Sequence, residues 1–484
     1  MKISPLLRIT VAIFITALFL IRPDSLQSRG MWYVDDDYDY FAHSSAIAFG
    51  QFPSYKKEFF TIMKEGPQSP IGTGILASPF VFVFSLLDRA EGRAITGVRT
   101  QDNIVGSWSQ FGFQVSSIFY FVMACYILFF GISRLVSPAN ASTAVILMMI
   151  CQGLPLFVYR RPFFSHCSEF FLQSVLMYLF LRFLGPKPRP KVLTAVFFLS
   201  ALFYLTRPND ISFALLWPLL VMDYSQGTVH ALRRSVPGAL LFAGAVLVFK
   251  ILPDAVNHMH PYSWAGQYLS TPMSAASFFQ RIVHIFIGTD WGLVYTAPFL
   301  LISLGGLFLL DRPALKRFNW LLLPMAINFY VIISWGSQGG WYGYRYFVVS
   351  AIPVMAFPLA LILEWASKKI RGWVVPLAIL LSLPPVLSML AFEGCSYFNL
   401  QIVPVDFNRS DWTNPQLQAN IWAVLVHAPA AFGLIIAKGI LTMAMSVAGA
   451  VEPLTWTTWL RTIIILLIPW LLYAMIVIRR KLLK

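Results

Sequence analysis

The sequence predicts an all-α polytopic membrane protein with about twelve transmembrane helices, and three observations lead to this fold class. Of the 484 residues, 58% are hydrophobic and only 12% are charged, whereas a soluble chain carries about 25% charged residues. The apolar residues fall in runs close to the length of about 20 residues that a helix needs to cross a bilayer. Lysine and arginine gather between alternate runs. We therefore expect a single membrane domain over residues 1–484.

The first apolar run, residues 5–21, is expected to stay in the mature chain as a transmembrane helix. Lys2 and Arg8 supply positive charge near its start, as in a signal peptide, but no small-residue cleavage site comes after it. The other predicted spans, in chain order, are 107–132, 141–159, 168–184, 192–206, 209–223, 236–252, 291–310, 318–335, 346–364, 373–391 and 458–478.

The charges between these runs give the orientation. With the amino terminus inside, every predicted inside loop contains lysine or arginine, as cytoplasmic loops do. Of the 21 acidic residues, only Asp223, Asp311 and Glu364 fall inside. The net charge of +15 is therefore a topology signal and not a nucleic-acid surface. This orientation predicts long outer loops, which comprise residues 22–106, 253–290 and 392–457.

Two further apolar stretches are not counted as spans. Residues 70–87 are interpreted as a juxtamembrane helix within the first outer loop. Residues 421–447 are interpreted as a surface-lying or re-entrant segment, because one additional crossing there would place the basic carboxyl-terminal tail outside. The cysteines show no metal-like or disulfide-like spacing; they are Cys125, Cys151, Cys167 and Cys395.

The polar clusters of the outer side suggest a charged cavity. The first outer loop has the acidic run 35–39, and the turn after residues 192–206 has Arg207. Arg345 follows the Gly-rich loop 336–344, and His166 begins another predicted span. An ionisable residue at membrane depth costs about 2.5–3.5 kcal/mol on insertion scales, so such residues usually pair or function.

These residue types suit sugar transfer from a lipid phosphate with inversion. The reaction needs a general base, which contributes roughly 10²–10⁴-fold to the rate. The departing phosphate needs cations, and the planar fork of arginine matches it. Aromatic residues such as Trp341 and Tyr342 suit stacking on a sugar. The sequence has no nucleotide-binding loop, and its polar clusters face away from cytoplasmic nucleotides, which favours a lipid-linked donor.

At these residues the chain resembles the GT-C-fold glycosyltransferases, which include protein O-mannosyltransferases and bacterial aminoarabinose transferases. That family has one transmembrane helix, then an acidic motif near a tyrosine in a long outer loop, as in Asp35-Asp36-Asp37-Tyr38. A Pro-containing juxtamembrane helix follows, to which residues 64–74 are similar. Thr206-Arg207-Pro208 and Gly343-Tyr344-Arg345-Tyr346 resemble later motifs. This chain departs from the family in having no large soluble carboxyl-terminal domain.

The resemblance implies a polyprenyl-phosphate-sugar-dependent glycosyltransferase of a bacterial inner membrane, which faces the periplasm and builds cell-envelope glycan. The base falls most naturally on Asp36, with Asp37 or Asp35 as alternatives, and Arg207 and Arg345 would hold the donor phosphate. The acceptor is a lipid, a glycan or a protein. No cofactor is expected, although the acidic run leaves a divalent metal as an alternative. The expected substrate contacts are His166, Trp341, Tyr342, Tyr40, Glu65 and Lys64.

Other interpretations stay open. Arg160 and Arg161 are interpreted as interfacial arginines that reach lipid headgroups. A secondary transporter or a lipid or glycan flippase also has about twelve helices, although such proteins often show internal repeats and broken midplane helices. A non-catalytic assembly protein is a further alternative. It would tolerate the loss of the acidic side chains, whereas the enzyme would not.

Overall fold

A computed structural model describes residues 4–21, 35–55, 67, 69–93, 106–183, 191–223, 227–257, 275–288, 292–334, 345–370, 372–398, 425, 429–448 and 454–483. These residues form helices and turns, and none of them forms a β-strand. Six of the described helices are long and apolar enough to cross a membrane, and shorter apolar helices accompany them. The all-α polytopic membrane fold is therefore confirmed.

The α-helices, with their bounds, are α1 (Pro5–Leu20), α2 (Asp35–Ala48), α3 (Gly72–Ala90), α4 (Trp108–Ile132), α5 (Pro138–Met149), α6 (Leu154–Tyr159), α7 (His166–Phe183), α8 (Lys191–Thr206), α9 (Leu216–Met222), α10 (Thr228–Val246), α11 (Leu252–Asn257), α12 (Ala275–Ile287), α13 (Leu293–Thr296), α14 (Pro298–Gly305), α15 (Arg312–Ser334), α16 (Arg345–Lys369), α17 (Val374–Phe398), α18 (Pro429–Ala448) and α19 (Trp456–Leu482).

Each of the twelve predicted spans overlaps helical structure, but several are broken. The span 141–159 is divided into α5 and α6 by a 3-10 turn, Cys151–Gly153, in which Gly153 has a φ of 62°. The span 209–223 begins as a 3-10 helix, Pro208–Leu215, and continues as α9. A π-helical turn, Leu247–Ile251, joins α10 to α11. The break between α5 and α6 follows from the left-handed backbone of Gly153 and from Pro155, which begins the new helix.

Contacts along the buried helix α4 show how deeply its neighbouring helices lie in the bundle. The Asp88 carboxylate near the end of α3 accepts hydrogen bonds from the Trp108 and Ser109 N–H groups at 2.8 and 2.7 Å. The Tyr120 hydroxyl donates to the Leu76 carbonyl at 3.1 Å. Helix α3 therefore runs antiparallel to α4, with its last turn at the start of α4 and its first turns near the middle of α4.

Helices α1 and α19 show which end of α4 lies beside the basic end of α19. The Thr10 and Tyr126 hydroxyls lie 2.9 Å apart, and the Tyr126 hydroxyl donates to the Pro469 carbonyl at 3.0 Å. Arg461 donates to the Gly106 carbonyl at 2.6 Å, beside the start of α4. At the other end of α4, the Arg480 guanidinium lies 4.7 Å from the centre of the Phe130 ring. The basic end of α19 therefore lies at the carboxyl-terminal end of α4, as the charge pattern predicts.

Several helices begin or end at the middle of α4. The ring of Phe170, in the second turn of α7, lies 5.8 Å from that of Phe121. The Ser117 hydroxyl donates to the Pro162 carbonyl, which places the segment between α6 and α7 at the same level. Polar helix ends meet here inside an apolar bundle, and they form the candidate site.

Candidate active site

Asp37 is a buried carboxylate at the start of α2. Its side chain is 0% exposed, and its Oδ2 lies 3.7 Å from Nη2 of Arg161, which is 4% exposed. The Arg161 guanidinium also lies 4.2 Å from the centre of the Phe164 ring. The acidic motif of the first outer loop therefore enters the bundle and meets an arginine at the level of the middle of α4.

A second buried ion pair joins the end of α8 to the start of α7. Nε of Arg207 lies 2.7 Å from Oε2 of Glu169, and Nη2 of Arg207 lies 3.0 Å from Nδ1 of His166. His166 and Glu169 are three residues apart, so they project from one face of α7. Arg207 has extended backbone between α8 and the following 3-10 helix, and this turn directs its side chain to that face.

The side-chain amide of Asn328 extends the polar cluster to two further helices, α15 and α16. Nδ2 of Asn328, in the middle of α15, donates to Oδ1 of Asp210 at 2.7 Å. The same nitrogen lies 3.4 Å from Oγ of Ser350 on α16. Nδ2 of Asn209 donates to Oδ1 of Asn328 at 3.0 Å. The turn after Arg207 is thereby bound to α15 and α16, and the polar groups lie where membrane helices are otherwise apolar.

A histidine beside the acidic motif binds the segment before α3. Nδ1 of His43 lies 2.7 Å from the Tyr55 hydroxyl, and Nε2 lies 2.8 Å from the Ser69 carbonyl. The Ser69 N–H group donates to Oδ2 of Asp39 at 2.8 Å. Burial lowers the pKa of His43 from 6.5 to about 4, and the neighbouring Lys250 also lowers it. Burial raises the pKa of Tyr55. His43 is therefore neutral at pH 7.

Two glycines allow the first turn of α3 to lie between α2 and the end of α8. A Cβ at Gly72 would lie 2.7 Å from the backbone carbonyl carbon of Leu205 and closer still to the Thr206 hydroxyl. A Cβ at Gly74 would lie 2.9 Å from the Ser44 backbone nitrogen. Only residues without a side chain fit here, so the Gly-Thr-Gly sequence brings the acidic and basic parts of the site together.

Four of the residues that the sequence indicated, namely Asp37, Tyr40, His166 and Arg207, are buried, and the structure places two of them, His166 and Arg207, in contact. Asp35 and Asp36 lie in the first turn of α2, before Asp37. Arg345 begins α16, five residues before Ser350. For Asp35, Asp36 and Arg345 the structure describes the backbone only. The other predicted substrate contacts lie outside the described residues, and they are Lys64, Glu65, Trp341 and Tyr342.

The structure corrects one interpretation and adds residues. Arg160 and Arg161 do not reach lipid headgroups, because both residues are buried and Arg161 faces Asp37. Glu169, Asp210 and Asn328 complete the cluster. Two sequence features could have indicated these residues. Glu169 is three residues from His166, and the amide Asn328 interrupts the apolar run 318–335. The contact between Asn328 and Asp210 could not be predicted from the sequence, because the two residues are 118 positions apart.

This arrangement provides buried carboxylates and guanidiniums in one region of a membrane protein. Burying an ion pair costs desolvation energy that the attraction repays only in part, and such groups mark functional sites more often than structural ones in membranes. In the part of the chain that the structure describes, no three His, Cys, Asp or Glu residues are grouped to hold a metal ion. The expectation that no cofactor is needed stays a prediction.

Comparisons with known proteins are sparse. No family model matches the chain, and no curated protein matches it. Among solved structures, the chain is similar to ArnT from Cupriavidus metallidurans in the apo state, with a TM-score of 0.47 and 13% sequence identity. The match covers 95% of this chain and 76% of that chain.

Proposed function

We propose that this protein is an inverting GT-C-type glycosyltransferase that moves a sugar from a polyprenyl-phosphate carrier to an acceptor at the outer face of the membrane. The observation that supports this function best is the burial of Asp37 against Arg161 within the bundle. A carboxylate that had only to keep an outer loop soluble would lie in water. Here it adjoins a cation in a region that excludes bulk solvent, which suits proton transfer at a phosphate-bearing centre.

The acidic run supplies the base in this mechanism. One carboxylate of the first turn of α2, from Asp36, Asp37 or Asp35, takes the proton from the acceptor hydroxyl. The acceptor oxygen attacks the anomeric carbon as the bond from that carbon to the phosphate oxygen breaks. The polyprenyl phosphate leaves with the electron pair. No acid has to protonate it, because a phosphate is already a weak base.

Arginines stabilise the departing phosphate. Arg161 lies beside the carboxylate, and Arg207 is held by Glu169 and His166 in the same region. A guanidinium that neighbouring residues orient loses less conformational freedom when it binds an anion. Arg345 completes the proposed set. A lipid-linked donor places this chemistry in a bacterial inner membrane, with the acceptor a lipid, a glycan or a protein on the periplasmic side.

The test is a transfer assay with the purified full-length protein in proteoliposomes. It uses a panel of undecaprenyl-phosphate sugars and membrane extract as the source of acceptor. We expect the substitution of the base, by Asp36→Asn or Asp37→Asn, to lower transfer by about 10²–10⁴-fold. Asp311→Asn is the matched control, because Asp311 caps α15 through the Ala314 N–H group at 2.8 Å and asparagine caps equally well.

Full transfer by both Asp36→Asn and Asp37→Asn would refute the assignment of the base to either residue, and full transfer by Asp35→Asn as well would refute a base in the acidic run. Movement of labelled lipid between leaflets without any sugar-bearing product would identify a transporter or a flippase instead.

A further inference from the structure

We propose that the first turn of α3, Gly72-Thr73-Gly74, forms a phosphate-binding site together with the hydroxyl of Thr206. The occupant is the phosphate of the polyprenyl carrier, an identification that rests on the proposed function. The site lies between the middle of the acidic helix α2, which Gly74 meets at His43 and Ser44, and the Arg207 turn, which Gly72 meets at Thr206.

The amino terminus of α3 presents backbone donors. The helix has 19 residues, and the residue before it, Ile71, provides no side-chain hydrogen bond to cap it. The first N–H groups of a helix have no partner within the helix, and they carry a partial positive charge that attracts anions. This end of α3 is enclosed by protein, since Gly72 and Thr73 are buried.

Two buried hydroxyls give the independent indication of a ligand. Thr73 and Thr206 are each 2% exposed, and among the described residues neither hydroxyl has a hydrogen-bond partner. Other helical threonines, such as Thr10 and Thr462, donate to the carbonyl four residues earlier at 2.9 Å. A buried hydroxyl without a partner is costly. A phosphate oxygen would accept a hydrogen bond from each.

The glycine packing places the Thr206 hydroxyl beside the first turn of α3. Thr73 belongs to the first turn itself, and the Thr206 hydroxyl is the atom nearest to a Cβ built on Gly72. A Cβ projects from the side of a helix, whereas the free N–H groups point along its axis. The contact between Gly72 and Thr206 therefore places the Thr206 hydroxyl against the side of the first turn of α3, next to its free N–H groups and off their axis.

A positive charge supplements these neutral donors. Arg207 follows Thr206, and Glu169, which lies 2.7 Å from its Nε, offsets part of its charge. On the other side, Asp39 accepts a hydrogen bond from the Ser69 N–H group at 2.8 Å. A phosphate here would gain hydrogen bonds from the helix end and the hydroxyls as well as attraction from the arginine.

The test measures binding of undecaprenyl phosphate, without any sugar, to the full-length protein in nanodiscs. We expect Thr73→Val and Thr206→Val, which keep the side-chain shape and remove the hydroxyl, each to weaken binding by about tenfold. Thr194→Val is the matched control: it lies on α8 as Thr206 does, but its hydroxyl donates to the Arg234 carbonyl at 2.6 Å. Its binding should equal that of the wild type.

Two further arms separate the sources of phosphate. Inorganic phosphate should compete with undecaprenyl phosphate in the wild type, and nanodiscs of phosphatidylglycerol should not abolish the binding. Unchanged affinity in both threonine variants, or complete displacement by phosphatidylglycerol, would overturn the proposal. If the wild type transfers no sugar from any donor but its binding of undecaprenyl phosphate still depends on both threonines, the glycosyltransferase assignment fails and the phosphate site stands.

Discussion

Arg207 carries a buried positive charge that Glu169 holds at 2.7 Å. The removal of one partner from such a pair leaves the other charge uncompensated, which typically costs about 3–5 kcal/mol. We expect Glu169→Gln to lower the free energy of unfolding by an amount at the lower end of this range, since glutamine still accepts a hydrogen bond. Thermal unfolding of the purified protein in detergent measures the loss.

A surface pair provides the control for this variant. Arg317 and Asp223 lie 2.7 Å apart, but their side chains are 34% and 23% exposed, and solvent-screened pairs contribute about 1 kcal/mol or less. Arg317→Gln should therefore change the unfolding temperature little. The double variant Glu169→Gln/Arg207→Gln should recover part of the lost stability. Equal losses for the buried and the surface variant would contradict the assignment of a buried pair.

The pH dependence of stability should report on His43, whose pKa falls from 6.5 to about 4 in the fold. Above about pH 6.5 the ring is neutral in the folded and the unfolded chain. Between pH 6.5 and 4 only the unfolded chain takes up the proton, so stability falls as the pH falls, by up to about 3 kcal/mol. Unfolding at pH 7 and at pH 4.5 measures this loss.

His43→Gln removes the group that titrates and keeps a polar side chain between Tyr55 and Ser69. The variant should lose less stability than the wild type over the same pH interval, although it starts lower because packing is disturbed. If both proteins lose the same amount, the acid sensitivity has another source, and the neutral state of His43 makes no measurable contribution.

At the residue scale, the sequence indicated the acidic run, His166 and Arg207, because charged residues beside apolar runs stand out. It did not indicate the role of Arg161, since an arginine next to a predicted span is more often interfacial. Only the fold shows that the segment after α6 lies at the middle of α4 rather than at its end. Which arginine meets which acid depends on packing between elements, and hydropathy does not encode that packing.

At the element scale, close contact between α3 and α4 depends on Gly112. A Cβ there would lie 2.7 Å from the Phe80 carbonyl oxygen and 2.8 Å from Cβ of Phe84. Backbone atoms of a packed helix cannot yield readily, so we expect Gly112→Ala to separate the two helices and lower the free energy of unfolding by about 1–3 kcal/mol. Thermal unfolding in detergent measures this change.

Gly244 provides the matched control on α10, because no atom lies within 4 Å of a Cβ built there. Alanine is the better helix former by about 1 kcal/mol, so Gly244→Ala should leave stability unchanged or raise it. A loss at Gly244 as large as that at Gly112 would show that glycine flexibility matters here, rather than close packing.

The helix boundaries show what periodicity predicts and what it leaves out. Runs of apolar residues located the helices, and for α1 and α8 the predicted bounds agree within a residue. The 3-10 helix after Pro208 and the π turn before α11 were not predicted, because their residues are as apolar as those of a regular helix. In the first case, the polar contacts of Asn209 and Asp210 with Asn328 bind the turn to α15.

At the scale of the whole molecule, the predicted orientation of the chain can be followed along α4 and α19. The start of α4 lies beside Arg461, and the end of α4 lies beside Arg480, in the basic last turn of α19. Helix α3 is long and apolar enough to span. Its final turn nevertheless meets the start of α4 at Asp88; with the start of α4 outside, as the charge pattern predicts, α3 would end on the outer side and contribute a wall of the site rather than a crossing.

Cysteine labelling tests this topology directly. In a background with Cys395→Ser, single cysteines replace Glu91, just after α3, and Asp311, just before α15. The remaining described cysteines, Cys125, Cys151 and Cys167, are buried, so background labelling should be low. In intact cells we expect a membrane-impermeant maleimide to label Glu91→Cys and to spare Asp311→Cys until the membrane is permeabilised.

The outcome decides where catalysis takes place. If α3 crossed the membrane completely, residue 91 would lie inside, and the cysteine there would stay unlabelled in intact cells. The start of α4 would then face the cytoplasm as well, because Asp88 binds it. The acidic helix α2 and the basic helix ends would share no outer cavity, and sugar transfer from a carrier in the outer leaflet would have no site. Labelling at residue 91 is therefore a condition of the proposed enzyme.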